Sequence, residues 1–270
     1  MSRIGKTFEQ LNTGHSRGLI VYLTGGDPHP DRTVDFVLAL EKGGADIVEL
    51  GVPFSDPVAD GPVIQCASER SLQAGTNLAG VLDILRRIRE RSDIPLVIFS
   101  YLNPVLRYGF EKFTKDAATA GADGALLTDL NVDEAGSYME QMEHRGLDPV
   151  FLIAPTTSLE RIRILSRSSR GFLYLVSRTG VTGEQKSISE RAIPLVERVR
   201  AVSKLPLALG FGLSKREHME EVAPHVDAAV VGSAVVRMIG DHGGEKSLPS
   251  RLTALCAELK AGLRLNTSTV

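Results

Sequence analysis

Eight short apolar runs, rich in residues that favour β-strands, constrain the fold of this chain more than any other feature. They do not alternate between polar and apolar residues, and they recur along most of the 270-residue sequence. Strands of this kind are typical of a parallel sheet that is covered by helices. The predicted strands are Leu19–Leu23, Ala45–Leu50, Leu96–Ser100, Gly124–Thr128, Pro149–Ile153, Phe172–Val176, Leu207–Leu209 and Ala228–Val231.

Helical patterns separate these strands. Apolar residues at spacings of three and four predict amphipathic helices, most clearly in the segment from Leu78 to Ile88. Ser214 and Glu217 have the spacing of a capping box, which predicts the start of a helix at that point. Helix ends are predicted at three glycines that follow such patterns: Gly43, Gly121 and Gly146.

A weak internal repeat accompanies this alternation of strands and helices. GGADIVELG (43–51) and AGADGALLTD (120–129) share a glycine, an Ala-Asp pair and an apolar strand, and VDAAVVGS (226–233) is a fainter copy. Eight such units in one undivided chain predict a single domain, residues 1–270, with the (β/α)8 or TIM-barrel fold. An open doubly wound sheet is the alternative, although TGGDP after the first strand lacks the G-x-G-x-x-G pattern.

The composition excludes several classes of function. A net charge of −2 and an isoelectric point near 6.3 do not indicate a basic surface that would bind nucleic acid or an anionic membrane. The first residues lack a signal sequence, and no apolar run is long enough to span a bilayer. Two cysteines and six scattered histidines show no metal-ligand spacing. We therefore expect a cytoplasmic protein with reduced thiols and no metal site.

Two glycine pairs predict a phosphate site. Gly210-Phe-Gly212 follows the seventh predicted strand and Gly232-Ser233 follows the eighth, ahead of a short predicted helix, Ala234–Ile239. Glycine lets the backbone approach a ligand closely, and a helix N-terminus attracts anions. Phosphate sites are common after strands seven and eight of this barrel. The alternative is that these glycines only form tight turns.

The loop after the sixth predicted strand is long for a compact domain. It runs from about Ser177 to Ser189 and contains Gly180 and Gly183. Loops of this length are often lids over a binding site, which is the interpretation we favour over a passive surface loop.

The stretch VELGVPFSDPVADGP (48–62) carries the strongest chemical signal. Glu49 interrupts an apolar strand just before its end, where barrel enzymes place reactive groups. Burial there would raise its pKa toward the range of a general acid and base. Three prolines stiffen the loop that carries Asp60, and two carboxylates in different environments can divide acid and base roles. A salt bridge at Glu49 and a turn-forming role for Asp60 are the alternatives.

These stretches, together with TGGDP, YLNP, YLVSRTGVTG, GFG and VVGSAVV, resemble the tryptophan synthase alpha chain family from about Phe8 to Leu263. The resemblance implies a lyase of tryptophan biosynthesis, without a cofactor, that cleaves indole-3-glycerol phosphate to indole and glyceraldehyde 3-phosphate.

The resemblance also implies roles for individual residues. Glu49 would be the general acid and base, Asp60 would bind the indole N–H, and Tyr174 would orient the reacting groups. Thr182 would close the lid over Asp60. Two further sets would bind substrate: the phosphate would contact Gly183, Gly212, Gly232 and Ser233, and the indole would contact Tyr22, Phe99 and Leu126 or Leu127.

Members of this family work with a pyridoxal-phosphate beta chain, usually as an alpha2-beta2 heterotetramer, and Asp56 and the loop after strand four matter for that contact. Asn131 replaces the proline usual in that loop, which would loosen it and weaken coupling. A stand-alone lyase, a non-catalytic activator of the beta chain and a different phosphate-binding barrel are the alternatives. Retention of Glu49, Asp60 and Tyr174 argues against the activator, and the absence of a lysine inside a predicted strand argues against an isomerase or epimerase.

Overall fold

Parallel strands form a single sheet in the computed structural model, which describes residues 2–176, 188–210 and 212–265, without the side chains of 188–191. The order of the strands in the sheet is β5-β4-β3-β2-β1-β9-β8-β7-β6. Their bounds are β1 Gly18–Thr24, β2 Ile47–Gly51, β3 Leu96–Ser100, β4 Gly124–Leu127, β5 Asp148–Val150, β6 Leu152–Ile153, β7 Leu173–Val176, β8 Leu207–Gly210 and β9 Ala228–Val231.

The sheet closes into a barrel through residues 148–153. The first part of this segment, β5, pairs with β4, and the second part, β6, pairs with β7. Phe151 lies between them, and its carbonyl accepts a hydrogen bond of 3.2 Å from the Tyr174 N–H. The predicted fifth strand therefore corresponds to β5 and β6, and the predicted sixth to eighth strands are β7 to β9. The (β/α)8 barrel is confirmed, and the open doubly wound sheet is wrong.

Side chains alternate along the strands between the barrel interior and an outer layer under the helices. On β2, for example, Ile47 belongs to the interior cluster, whereas Val48 and Leu50 pack in the outer one. Ile4 and Phe8 of the first helix fill the amino-terminal end of the interior, where the Phe8 ring lies 6.0 Å from that of Phe172. The interior is a packed core except at the carboxyl ends of the strands.

Helices surround the barrel. The helix predicted from Leu78 to Ile88 buries its whole apolar stripe. No helix in the described part of the chain combines the length and apolar character needed to cross a bilayer. The bounds are α1 Arg3–Thr13, α2 Pro30–Lys42, α3 Pro62–Gln73, α4 Leu78–Arg89, α5 Leu102–Tyr108, α6 Phe110–Ala120, α7 Gly136–His144, α8 Leu159–Ser168, α9 Ile188–Arg200, α10 Arg216–Val222, α11 Ser233–His242 and α12 Leu248–Ala261.

The last helix of the described chain packs against the second helix. Thr253 on α12 donates a hydrogen bond of 2.9 Å to the Ala39 carbonyl on α2. At Gly43 the two helices approach so closely that a Cβ atom would lie 2.6 Å from the Cβ of Cys256. Because the strands share one sheet and α12 returns to α2, we infer that residues 1–270 form a single domain.

Most helix boundaries agree with the sequence signals, but one does not. Gly43 and Gly121 cap the ends of α2 and α6 as predicted. The capping box at Ser214 is wrong, because α10 begins at Arg216 and Lys215 occupies the N-cap. The N–H of Ser214 instead donates a hydrogen bond of 3.3 Å to Nδ1 of His218.

The internal repeat has a physical basis in its aspartates. Asp46, Asp123 and Asp227 each accept a hydrogen bond from an N–H in the first two residues of a neighbouring strand, at 2.6, 2.8 and 2.7 Å. Each carboxylate also pairs with a cation on a different element: Lys260, Arg89 and Arg200 respectively. The Ala-Asp pattern therefore ties consecutive strands to each other at the amino-terminal end of the barrel.

Replacing Asp123 tests this arrangement. Its side chain is 4% exposed and pairs with Arg89, which is 14% exposed. Asp123→Ala removes the carboxylate that neutralises the Arg89 guanidinium and accepts the Leu96 N–H, so we expect a loss of about 3 kcal/mol in the free energy of unfolding. Urea denaturation measures this loss. Asp93→Ala is the matched control because Asp93 is 94% exposed. Equal midpoints for the two variants would contradict the assigned role.

Candidate active site

A cavity of about 360 Å³ opens at the carboxyl ends of the strands. This volume falls in the range of small-molecule sites, which is roughly 300–1,000 Å³. Side chains from β1, β3, β6, β7 and β9 surround it, and the loop between β2 and α3 covers one side. Its lining includes seven of the residues predicted from the sequence, namely Tyr22, Asp60, Phe99, Tyr174, Gly212, Gly232 and Ser233.

A second concave region lies at the opposite end of the barrel. Its volume is about 550 Å³, and it is lined by α1 and by the residues that precede the strands, such as Gly171 and Pro206. Barrel enzymes carry out their chemistry at the carboxyl ends of the strands, whereas the opposite face serves stability. The smaller cavity is therefore the candidate active site.

Glu49 lies in the barrel interior because the alternation of β2 turns it there. Its neighbours in the strand register are Tyr22 on β1 and Val97 on β3. The residue is fully buried, and within the described part of the chain neither carboxyl oxygen has a hydrogen-bond partner. Burial raises the pKa of Glu49 from 4.5 to about 8. A salt bridge, the alternative from the sequence, is not formed with any described residue.

Three aromatic residues line the cavity beside this carboxyl group. The Tyr22 and Phe99 rings meet edge to face with centroids 5.2 Å apart, and Tyr174 follows at 6.5 Å from Phe99. Burial, followed by the charges of Glu49 and Asp60, raises the pKa of Tyr174 well above its ordinary value. The Tyr174 hydroxyl therefore stays protonated and can donate a hydrogen bond.

Two glycines make room for the tyrosine rings. A Cβ atom at Gly51 would lie 2.3 Å from the Tyr22 hydroxyl oxygen, and one at Gly210 would lie 2.5 Å from the Tyr174 hydroxyl oxygen. Any larger residue at either position would displace a ring from the cavity. Gly51 thus has a role in the site that its position in the sequence did not indicate.

Asp60 is held at the edge of the cavity by its own loop and by Tyr101. Its N–H donates to the Pro57 carbonyl at 3.0 Å, and its Oδ2 accepts a hydrogen bond of 3.1 Å from the Tyr101 hydroxyl. Burial raises the pKa of Asp60 to about 6, while the hydrogen bond from Tyr101 opposes that rise. Sequence reasoning did not find Tyr101, although its position directly after β3 could have indicated it.

The glycine pairs also line the cavity. Gly212 has a φ of +64°, which favours glycine, and no described residue other than its chain neighbours lies within 4 Å of the place where its Cβ would be. Gly232 is the N-cap of α11, so Ser233 is the first residue of a ten-residue helix. The free N–H groups and positive end of this helix make the region suitable for an anion.

The remaining predicted residues differ in their placement. Leu126 lies in the barrel interior, opposite Phe99 in the strand register. Leu127 packs in the outer layer under the helices, so its assignment to the indole wall is wrong. Adjacent residues of a strand point to opposite faces, so only one of the two leucines could face the interior. Thr182, Gly183 and most of the predicted lid lie outside the described residues.

Asn131 is held in place by hydrogen bonds, contrary to the expectation that it loosens its loop. Its side chain accepts a hydrogen bond of 3.2 Å from the Asp133 N–H and caps the short 3₁₀ helix Val132–Glu134. Arg161 of α8 donates to both Asn131 and Asp133. Side-chain contacts therefore replace the rigidity that proline would give the backbone.

The site contains no candidate metal centre among the described residues, where no three histidine, cysteine, aspartate or glutamate side chains are grouped as ligands. The chemistry of the cavity is that of two carboxyl groups with raised pKa values, a tyrosine hydroxyl and backbone N–H groups.

Comparisons with known proteins agree on one family. The family model of the tryptophan synthase alpha chain matches residues 8–264. The tryptophan synthase alpha chain of Solibacter usitatus is 56% identical over 97% of this chain and 98% of its own length. That of Geotalea uraniireducens is 44% identical, with 98% of both chains covered.

Solved structures give the same result. The tryptophan synthase alpha subunit of Legionella pneumophila superposes with a TM-score of 0.90 at 36% identity, covering 97% of this chain and 98% of the other. A chain of tryptophan synthase from Mycobacterium tuberculosis gives a TM-score of 0.90 at 39% identity, covering 98% and 99%. With a family model matching nearly its whole length and relatives this similar, the chain belongs to the tryptophan synthase alpha chain family.

Proposed function

We propose that this protein cleaves indole-3-glycerol phosphate into indole and glyceraldehyde 3-phosphate by a retro-aldol reaction. The observation that carries the proposal is the buried carboxyl group of Glu49, which has no partner among the described residues and lies beside a cavity with an aromatic wall and a helix N-terminus. A carboxyl group with a pKa of about 8 can both donate and accept a proton near neutral pH.

Glu49 would act twice in one turnover. In its neutral form it donates a proton to the indole ring carbon that bears the side chain, because indole leaves poorly until that carbon is protonated. The resulting carboxylate then takes the proton of the adjacent side-chain hydroxyl. The carbon–carbon bond breaks, its electron pair restores the aromatic ring, and the hydroxyl carbon becomes the aldehyde. Glu49 ends the reaction in its starting protonation state.

Asp60 would stabilise the positive charge that protonation creates. With a pKa of about 6 it is mostly ionised at neutral pH, and it can accept a hydrogen bond from the indole N–H. A charged partner in a desolvated site stabilises a developing charge more strongly than water does. Tyr174 would orient the reacting hydroxyl, and Tyr22 and Phe99 would pack against the indole ring.

The phosphate would bind at the glycine pairs. Gly212, Gly232 and Ser233 line the cavity, and Ser233 begins α11, whose free N–H groups would bind the anion. Thr182 and Gly183 retain the roles that the family resemblance implies, as lid and phosphate residues. The two carboxyl groups and the phosphate region then hold the two ends of one substrate.

A pyridoxal-phosphate beta chain is the partner we propose, in an alpha2-beta2 assembly. A groove of about 390 Å³ lies beside the active site, lined by residues of the β2–α3 loop and of α3, α4 and α5. Three apolar side chains on or near it are exposed: Val58 by 87%, Leu72 by 37% and Leu106 by 53%. Such a surface favours a partner over a stand-alone lyase. We place the complex in the cytoplasm, where the free thiols Cys66 and Cys256 would stay reduced.

The central test replaces the proposed acid and base. We expect Glu49→Gln to lower kcat for indole release by roughly 10²- to 10⁴-fold, the usual contribution of a positioned proton donor. The assay measures indole formed from indole-3-glycerol phosphate, with and without added beta chain. Glu111→Gln, at an exposed position of α6, is the matched control. A Glu49→Gln protein with the parental rate would rule out the mechanism.

The same substitution should stabilise the fold in a pH-dependent way. Because the folded pKa of Glu49 lies above the ordinary value of 4.5, the native state loses stability as pH rises toward 8. Glu49→Gln removes this loss, so we expect a gain in unfolding free energy of about 1 kcal/mol at pH 5 and about 4 kcal/mol at pH 8. Urea denaturation at both pH values measures the gain, and a gain independent of pH would refute the assigned environment of Glu49.

Introducing a charged side chain tests the proposed partner surface. Leu72→Glu places a carboxylate in the proposed contact, so we expect the dissociation constant for the beta chain to rise at least about 10-fold. Ile164→Glu is the matched control, because Ile164 has the same exposure of 37% but lies in the middle of α8. Sedimentation or calorimetric titration measures both constants. Equal constants for the two variants would place the contact elsewhere.

A further inference from the structure

Tyr101 joins the Asp60 loop to the barrel through a single hydroxyl group. This hydroxyl donates a hydrogen bond of 3.1 Å to Oδ2 of Asp60 and accepts one of 2.9 Å from the N–H of Ala59. One oxygen atom therefore contacts both the carboxyl group and the backbone beside it. Loss of that atom would remove both contacts at once.

The Tyr101 ring is itself held firmly. Tyr101 is 3% exposed, and its ring packs on that of Phe54 with centroids 5.2 Å apart. Its carbonyl accepts a hydrogen bond of 2.9 Å from the Ser100 hydroxyl, and the next residue, Leu102, donates its N–H to Asp129 at 2.6 Å. Tyr101 thus has a fixed position between the end of β3 and the start of α5, where it is the N-cap residue.

The hydrogen bond from Tyr101 uses only one oxygen of the Asp60 carboxyl group. In the described part of the chain the structure gives no hydrogen-bond partner to the other oxygen, Oδ1, while Asp60 lines the cavity. One oxygen is anchored and the other remains available for a substrate N–H. This division orients the carboxylate without blocking it.

Among the described residues, the other titratable groups near Asp60 do not stabilise its charge. Tyr22 on β1 and Tyr174 on β7 lie close enough that the charge of Asp60 raises the pKa of each, and Glu49 on β2 acts on the same two tyrosines. None of these three groups donates a hydrogen bond to Asp60. Within the described part of the chain, the hydrogen bond from Tyr101 is what counteracts the effect of burial on the carboxyl group.

We propose that Tyr101 is a positioning residue that orients the Asp60 carboxylate toward the substrate and stabilises its charged form. The inference rests on the proposed function of Asp60. It adds Tyr101 as a residue that affects the reaction only through Asp60. Its effect should appear as a change in the proton affinity of one carboxyl group, which a purely structural tyrosine would not cause.

The first test titrates Asp60 directly by NMR of ¹³C-labelled aspartate, with the signal assigned by Asp60→Asn. Tyr101→Phe should raise the pKa of Asp60 by about one unit or more, because it removes a hydrogen bond to the ionised form. Tyr138→Phe is the matched control, since it deletes another buried hydroxyl, one that donates to the Ala125 carbonyl at 3.3 Å. An unchanged pKa in Tyr101→Phe overturns the proposal.

A second variant covers the case in which Tyr101→Phe does not fold. Incorporation of 3-fluorotyrosine at position 101 keeps the ring and the hydroxyl but makes the hydroxyl a stronger donor. The pKa of Asp60 should then fall below that of the parent protein. A pKa that fails to fall would also overturn the proposal.

Activity separates this inference from the proposed function. In the complex with the beta chain, the acid limb of kcat/KM for indole release should move upward in Tyr101→Phe by the same amount as the pKa, and stay in place in Tyr138→Phe. If the pKa shifts but the parent protein releases no indole, the positioning role stands and the proposed function fails. If the parent is active and the limb does not move with Tyr101→Phe, the positioning role fails.

Discussion

The two-residue alternation of side chains in a closed ring of parallel strands determines most of this structure. Each strand sends one set of side chains into the interior and the other set under the helices. On β2 this rule places Ile47, Glu49 and Gly51 on the inner face. A shift of register by one residue would move Glu49 into the apolar outer layer and Val48 into the barrel. The position of the carboxyl group therefore follows from the closure of the sheet.

The site obtains its shape because large side chains on two strands fit beside glycines on the neighbouring strands. Tyr22 and Tyr174 reach across positions where Gly51 and Gly210 have no side chain. The amino-terminal end of the barrel has the opposite character, because its aspartates are paired with cations and with strand N–H groups. Charges at one end are satisfied and stabilise the ring, whereas Glu49 at the other end has no hydrogen-bond partner among the described residues, and its burial reduces stability. This asymmetry is what an active site built on a rigid scaffold requires.

Much of the architecture could be predicted from the sequence, because the signals involved are local. The continuous apolar strands predicted a sheet covered by helices, and the repeated Ala-Asp pattern indicated a common unit. Seven predicted residues line the cavity, since barrel strands bring their carboxyl ends together. The errors have equally physical causes. Leu127 could not be told from Leu126 without the strand register, and Ser214 lost its capping role because α10 begins one residue later than the pattern implied.

The sequence by itself determined the barrel, the order of its functional loops and the position of Glu49 and Asp60 at strand exits, because these depend on periodicity and on residue type. Only the tertiary structure decided which side chains meet. Contacts such as those of Tyr101 with Asp60, or of Arg161 with Asn131, join segments 41 and 30 residues apart in the chain. The pKa values of the carboxyl groups depend on such contacts and on burial, and local sequence contains neither.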